Sequence, residues 1–277
     1  MPVDLLRPAE PREAAACTAI SDGARLAAFI RYDWINQTRQ NMVAATVLST
    51  LALCGVVLLA GDALTPGAAA LLIFIDPASV GLGFVGAAVF LERATGVLLA
   101  LGATPARPAL YVISKCAVFC AIGVGSGMIV AAVITDFWRD GPGGAAGPLP
   151  GAAAILFATL ILANAAATLF GLGLACGAPS MNAFLLRSGL ASIALAPPIV
   201  AQAALGPGAL AHPLHWLFPS APFAHLLAVG VGEPVSMATA AAGLGALFWT
   251  VLAAAFALHG VSAAFTGTAG AKGNRRG

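Results

Sequence analysis

Leu91-Glu92-Arg93-Ala94-Thr95-Gly96-Val97-Leu98-Leu99-Ala100-Leu101-Gly102-Ala103-Thr104-Pro105-Ala106-Arg107-Pro108 is a short charged interruption between two apolar stretches, residues 68–91 and 109–134. Each flanking stretch is long enough to cross a bilayer, which takes about 17–25 residues at a rise of about 1.5 Å per residue. Charge on one side, apolar residues on the other and a Pro stop suit a segment lying at a membrane surface, within reach of a soluble partner.

Four more apolar runs have the same length, so the spans fall at about 43–60, 68–91, 109–134, 151–177, 188–205 and 236–258. Composition agrees. Hydrophobic residues make up 60% of 277 positions and charged residues 9%, where a soluble domain carries about 25% charged residues. The alternating polarity of barrel strands is absent. The expected fold is therefore an all-α membrane protein with six transmembrane helices. The net charge of +2 and the lack of a basic patch interleaved with aromatics exclude nucleic acid as a partner.

Basic residues orient the bundle. Twelve of the thirteen Lys and Arg fall on one side, from Arg7, Arg12, Arg25, Arg31 and Arg39 through Arg93, Arg107, Lys115 and Arg187 to Lys272, Arg275 and Arg276. Arg139 alone falls opposite, among Asp62, Asp136, Asp140 and Glu233. The positive-inside rule then places both termini in the cytoplasm of a multi-pass protein of the cell (inner) membrane. Residues 1–42 hold five Arg and no apolar run, so the first span is expected to remain as an anchor.

Residues 1–22 read as a cytoplasmic tail. Ser21-Asp22 offers an N-cap, and residues 23–42 form an amphipathic helix with Arg25, Arg31 and Arg39 on one face and Leu26, Phe29, Ile30 and Trp34 mostly opposite. Asp33 and Gln37 fall on the apolar side. An interfacial elbow helix fits this pattern, and so does an ordinary flanking helix whose Arg residues meet anionic headgroups. The six-span domain occupies 43–258, and 259–277 is a second cytoplasmic tail.

Inside the spans, Asp76-Pro77 combines an expensive ionisable group with a lost backbone bond and a kink. It serves either a pathway or the bent helix itself. Gly81-Leu82-Gly83-Phe84-Val85-Gly86 matches a dinucleotide-binding pattern but lies in a spanning helix, where small residues serve close packing instead. Gly123 and Gly127 carry the same reading, and Asn164 reads as interhelical glue. Tyr111 and Lys115 read as an aromatic and a snorkelling cation near the inner interface. Asn182 falls in a loop. Pro197-Pro198 and Gln202 make the fifth span irregular. Between 206 and 235, prolines break two short apolar pieces, 214–219 and 221–229, into re-entrant or interfacial helices.

Little catalytic chemistry is encoded. There is no phosphate loop of the G-x-x-x-x-G-K-[ST] type, so no ATP site of that kind and no enzyme activity are expected in this chain. Cys17, Cys54, Cys116, Cys120 and Cys176 read as small core residues, with no metal site expected. His212 and His215 offer two ligands without a third. Ser126 and His259 suggest an intramembrane serine protease, but they fall at opposite ends of their spans, beyond the reach that activation needs. A secondary transporter would want paired ionisable groups at mid-membrane or an inverted repeat. A passive assembly or immunity protein is a further class.

Two runs carry a resemblance: Phe74-Ile75-Asp76-Pro77, Gly81 and Phe84 through Arg93, then Gly96 through Pro105 with Arg107, Tyr111 and Ser114-Lys115. Together they resemble the ABC-2 type permeases, most nearly the fluoroquinolone-exporter-like group. Phe170-Gly171-Leu172-Gly173-Leu174-Ala175 with Asn182, and Leu217-Phe218-Pro219-Ser220, are similar to that group's fourth span and outer segment. The resemblance implies a half-transporter that pairs with a second permease copy or paralogue and with separate ABC ATPase subunits, which carry the ATP and Mg. Residues 92–107 would be the coupling helix, with Glu92, Arg93, Leu98, Leu101, Thr104, Pro105 and Arg107 meeting the ATPase. The path of a hydrophobic or amphipathic small-molecule or peptide substrate would lie between the two permeases, lined by Asp76, Gln202 and Phe218, with membrane lipid around the pair.

Overall fold

The computed structural model describes residues 21–61, 64–102, 107–140, 151–205, 215, 217–232 and 237–265. Six helices are long and apolar enough to cross a membrane. The first element, α1 (Asp22–Arg39), starts at Ser21, whose hydroxyl accepts from the Ala24 amide at 3.3 Å. Asp22 in its first turn and Arg39 in its last complement the helix dipole. Asn41, at φ 57°, separates it from α2 (Met42–Ala60); asparagine tolerates this left-handed conformation better than most residues.

The next long helix has three parts: α3 (Pro66–Ala78), a π-helical turn (Ser79–Phe84) and α4 (Val85–Ala94). The sequence predicts a kink at Pro77. The helix instead widens just beyond it into the π turn, which absorbs a disturbed bonding register without a break in the chain's course. A turn at Thr95-Gly96, with Gly96 at φ 74°, leads into the short α5 (Val97–Gly102). Then follow α6 (Pro108–Asp140), α7 (Ala152–Gly177), α8 (Met181–Leu205), α9 (Ser220–Gly230) and α10 (Met237–Phe265).

Two sequence expectations change here. Asn182 lies in the first turn of α8, not in a loop, and α8 runs unbroken through Pro197 and Pro198. The Ser220 hydroxyl donates to the Leu195 carbonyl at 2.6 Å in the turn just before them, so neighbouring α9 satisfies backbone near the prolines. Helix α9 is short, apolar and buried along nearly its whole length.

Lipid is as apolar as leucine, so close fit rather than burial from water holds such a bundle together. Helix α7 is the centre, packed by α6, α9, α10 and the π turn. The glycines at 81 and 86 belong to this fit. A Cβ at Gly81 would meet Ala167 and the Thr168 amide of α7, and one at Gly86 would enter the Phe184 ring. Among the described residues no strand surrounds them, so the dinucleotide pattern has no structural counterpart there. Gly123 and Gly127 likewise admit Asn164 and Leu160 of α7. Asn164 donates within its own helix to the Leu160 carbonyl at 2.9 Å.

Candidate functional site

The bundle end that carries α1, α5 and the start of α6 holds a buried ionic cluster. Lys115, with no exposed surface, sits between Asp33 of α1 and Glu92 of α4. Its ammonium donates to Asp33 Oδ1 at 2.6 Å and to Glu92 Oε1. The Tyr111 hydroxyl donates to Glu92 Oε2 at 2.7 Å and the Ser114 hydroxyl to Asp33 Oδ2 at 2.7 Å. Lys115 therefore does not snorkel. Two carboxylates and two hydroxyls supply the polar surroundings that make its burial tolerable.

Asp33 and Gln37 lie on the apolar side of α1, as its sequence pattern places them, and Trp34 departs from that side. The buried stripe of the helix carries Asp33 and Gln37, while Trp34 is 47% exposed. Leu26, Phe29 and Ile30, seven, four and three residues before Asp33, are half-buried on the same stripe. The stripe is polar where it meets Lys115.

Arg93, next to Glu92, grips another helix. Its guanidinium donates to the Ala178 carbonyl at 2.7 Å and the Cys176 carbonyl at 2.5 Å, at the end of α7, and stacks over Phe90 at 5.2 Å. Arg187 of α8 donates to the Gly177 carbonyl at 2.9 Å. The last carbonyls of a helix have no partners within it, and cations there also meet the negative end of its dipole. Four long elements are thus joined through one dipeptide, Glu92-Arg93.

Residues 92–107 are not one amphipathic surface helix. They comprise the end of α4, the Gly96 turn, α5 and a connection at 103–106 that lies outside the described residues. Leu98 is buried and Leu101 half-buried in the apolar cluster that also holds Tyr111, Phe184 and Val261. Thr104 and Pro105 lie outside the described residues. Arg107 is exposed and 3.5 Å from the exposed Asp22.

The second feature is an apolar cavity of about 370 Å3 enclosed by the α3–π segment, α7, α8, α9 and α10. Five aromatic rings line it: Phe74, Phe170, Phe223, Trp249 and Phe256. Among the described residues its lining contains no charged side chain. Of the expected path residues, Gln202 and Phe218 are not among its described lining. Gln202 of α8 is buried, with its backbone carbonyl against Gly67 of α3 and, among the described residues, no hydrogen-bond partner for either side-chain amide atom. Phe218 is half-buried outside the lining. Asp76 is helical, and its side chain falls outside the description. Cys116 and Cys120 stand 3.8 Å apart, and among the described residues no group of three metal-ligating side chains forms. The Ser126 hydroxyl donates to the Gly123 carbonyl at 3.1 Å within its own helix.

Sequence reasoning missed the cluster and the cavity. The cluster had a signal: an ionisable residue well inside an apolar helix implies a partner.

Six helices of spanning length, an ionic cluster at one end and an apolar cavity define a multi-pass membrane protein. Over 197 residues the chain is 29% identical to the fluoroquinolones export permease protein MT2761 of Mycobacterium tuberculosis (strain CDC 1551 / Oshkosh). The same identity links it to the fluoroquinolones export permease protein Rv2687c of Mycobacterium tuberculosis (strain ATCC 25618 / H37Rv). Each alignment covers 71% of this chain and 76% of the relative. No family model matches the chain.

Proposed function

We propose that this permease is the membrane subunit of an ATP-driven exporter of the ABC-2 type, moved by a separate ATPase that docks on residues 92–107. The observation that carries the reading is the Glu92-Arg93 junction. A push on the segment beyond it would reach α1 and α6 through Glu92 and α7 through Arg93. Packed elements of this kind move as rigid bodies rather than deforming continuously. In this reading Glu92, Arg93, Leu98 and Leu101 anchor the docking segment to the bundle. Arg107, with Thr104 and Pro105 beside it in sequence, faces the partner. The cluster end is cytoplasmic, α1 is the elbow at its surface and α9 is a re-entrant helix from the opposite side. The resemblance to export permeases supports outward movement of a hydrophobic or amphipathic compound, by two permease copies or paralogues. ATP and Mg belong to the partner.

The test is co-purification of the full chain with candidate ABC ATPase subunits from the same organism, followed by measurement of ATP turnover. Arg107→Glu is expected to weaken association at least tenfold while leaving the permease's own stability unchanged, since exposed ion pairs contribute little. Equal association of native and Arg107→Glu protein would remove residue 107 from the interface. Failure of any ATPase to associate would remove the ATP-driven reading.

A further inference from the structure

The cavity between α7, α8 and α10 has a chemistry that limits its occupant. Two hydroxyls, Ser192 and Ser220, belong to the lining, and both protons are already committed. Ser192 donates to the Ser188 carbonyl at 2.9 Å and Ser220 to the Leu195 carbonyl at 2.6 Å. Against the described lining residues a charged or strongly polar ligand would lose its hydration and gain no partner of opposite charge. Water would do little better, because it needs two or more polar partners to stay in a cavity.

Access comes from the side. Helix α8 leans on α3 and α9, while α10 leans on α7 and α9, and the cavity occupies the space between α8 and α10. Leu252 and Phe256 line the cavity and are also 47% and 38% exposed. Leu190 and Ile193 of α8 and Phe248 and Val251 of α10 are exposed as well. In a six-span protein these surfaces meet acyl chains. Counting about 1.5 Å per residue, the lining positions of the long helices lie roughly 12–29 Å from one bundle end, deep in the hydrocarbon layer.

We propose that this cavity is a ligand site within a single subunit, entered laterally from the bilayer, for an uncharged polycyclic aromatic molecule. Its rings would meet those of Phe74, Phe170, Phe223 and Trp249 edge-to-face or offset-stacked. The volume falls in the range of small-molecule sites. A site inside one subunit differs from a path running between two permeases. The proposal names the substrate class under the export reading, and it rests on that reading only for the word substrate.

Binding is measured with the full chain in lipid nanodiscs, without ATPase or ATP, so the result is independent of coupling. The probe is N-phenyl-1-naphthylamine, whose fluorescence rises in apolar surroundings, with empty nanodiscs subtracted. The expected result is saturable binding. Filling the cavity from two different helices, by Ala167→Phe in α7 or Ser192→Leu in α8, should weaken it at least tenfold. Replacing a ring by a branched chain, as in Phe223→Leu or Trp249→Leu, should weaken it about 2–10-fold. A variant that loses its monodisperse elution is set aside, and the others decide. Naphthalene-1-sulfonate should not compete. The proposal is overturned by three outcomes: no saturable component in the native protein, binding unchanged in the cavity-filled variants, or displacement by dodecanol as effective as by naphthalene. The last would show that an acyl chain occupies the cavity.

Discussion

Replacing Lys115 by methionine should be among the most damaging single changes to this chain, and the charges in the structure say by how much. The cluster holds two carboxylates and one ammonium, so it already carries one formal negative charge in excess. Lys115→Met leaves Asp33 and Glu92 facing each other with no cation between them. Two hydrogen bonds involving charged groups disappear, each worth about 1.5–3 kcal/mol, and breaking a buried ion pair from one side costs about 3–5 kcal/mol. An expected loss of about 4 kcal/mol corresponds to a fall of about 8–16 °C in the unfolding midpoint of a chain of this size. Removing one carboxylate instead leaves a balanced pair. Glu92→Gln, which keeps an acceptor for the Tyr111 hydroxyl, and Asp33→Asn should each cost about 1–2 kcal/mol. The triple variant Lys115→Met, Glu92→Met, Asp33→Asn should recover most of the loss, because buried ionic groups are often replaceable by apolar ones of similar volume. The assay is retention of the monodisperse peak by size-exclusion chromatography after heating in detergent. A Lys115→Met shift below 2 °C, or a Glu92→Gln shift as large as that of Lys115→Met, would refute the reasoning.

Arg93→Met removes the donors that cover the Cys176 and Ala178 carbonyls; a loss of about 2–4 kcal/mol is expected, read as faster hydrogen exchange at the end of α7. Gly81→Val drives a side chain into α7 at Ala167 and Thr168 and should cost about 1–3 kcal/mol or more, read by the same heating assay; a neutral result would mean the two helices are not in contact there. Gln202→Leu removes a buried amide whose two polar atoms have no partner among the described residues, so stability should rise by about 1–3 kcal/mol. If substrate export by the full transporter falls while stability rises, the amide serves the path; if export is unchanged, Gln202 is removed from it.

The six spans were legible because they depend on composition over windows of about twenty residues, which no distant contact can undo. The ionic cluster was legible only in fragments. Asp33 stood out as a misfit on the apolar side of α1, Lys115 as a cation seven residues beyond Pro108, and Glu92 as part of the charged interruption. Nothing local joins positions separated by 82 and 23 residues, and a snorkelling lysine was the sensible reading without a partner in view. The inward turn of Leu98 was hidden for a related reason. A six-residue helix does not define which of its faces meets the bundle until Gly96 sets its direction. The cavity left no mark at all, since alanines and single aromatic rings on five separate segments form no pattern along the chain.

The cavity and the cluster share two of their supports, one a regular α-helix and the other interrupted by a π turn. Helix α7 contributes Ala163, Ala166, Ala167 and Phe170 to the cavity wall and its terminal carbonyls to Arg93 and Arg187, within one continuous α-helix of 26 residues. The α3–α4 helix contributes Phe74 and Leu82 to the wall and Glu92 and Arg93 to the cluster, but the π turn at Ser79–Phe84 lies along that route. A regular α-helix carries an end displacement along its length, whereas π-helical turns recur at functional sites as places where the bonding pattern readjusts. If the cluster end moves under load, α7 should therefore carry the movement as a rod. The mismatch with its neighbour should be taken up in the π turn, where Gly81 touches α7 and a Cβ at Gly83 would meet nothing within 4 Å. Leu82, between those two glycines, is the cavity-lining residue that such a readjustment would displace first.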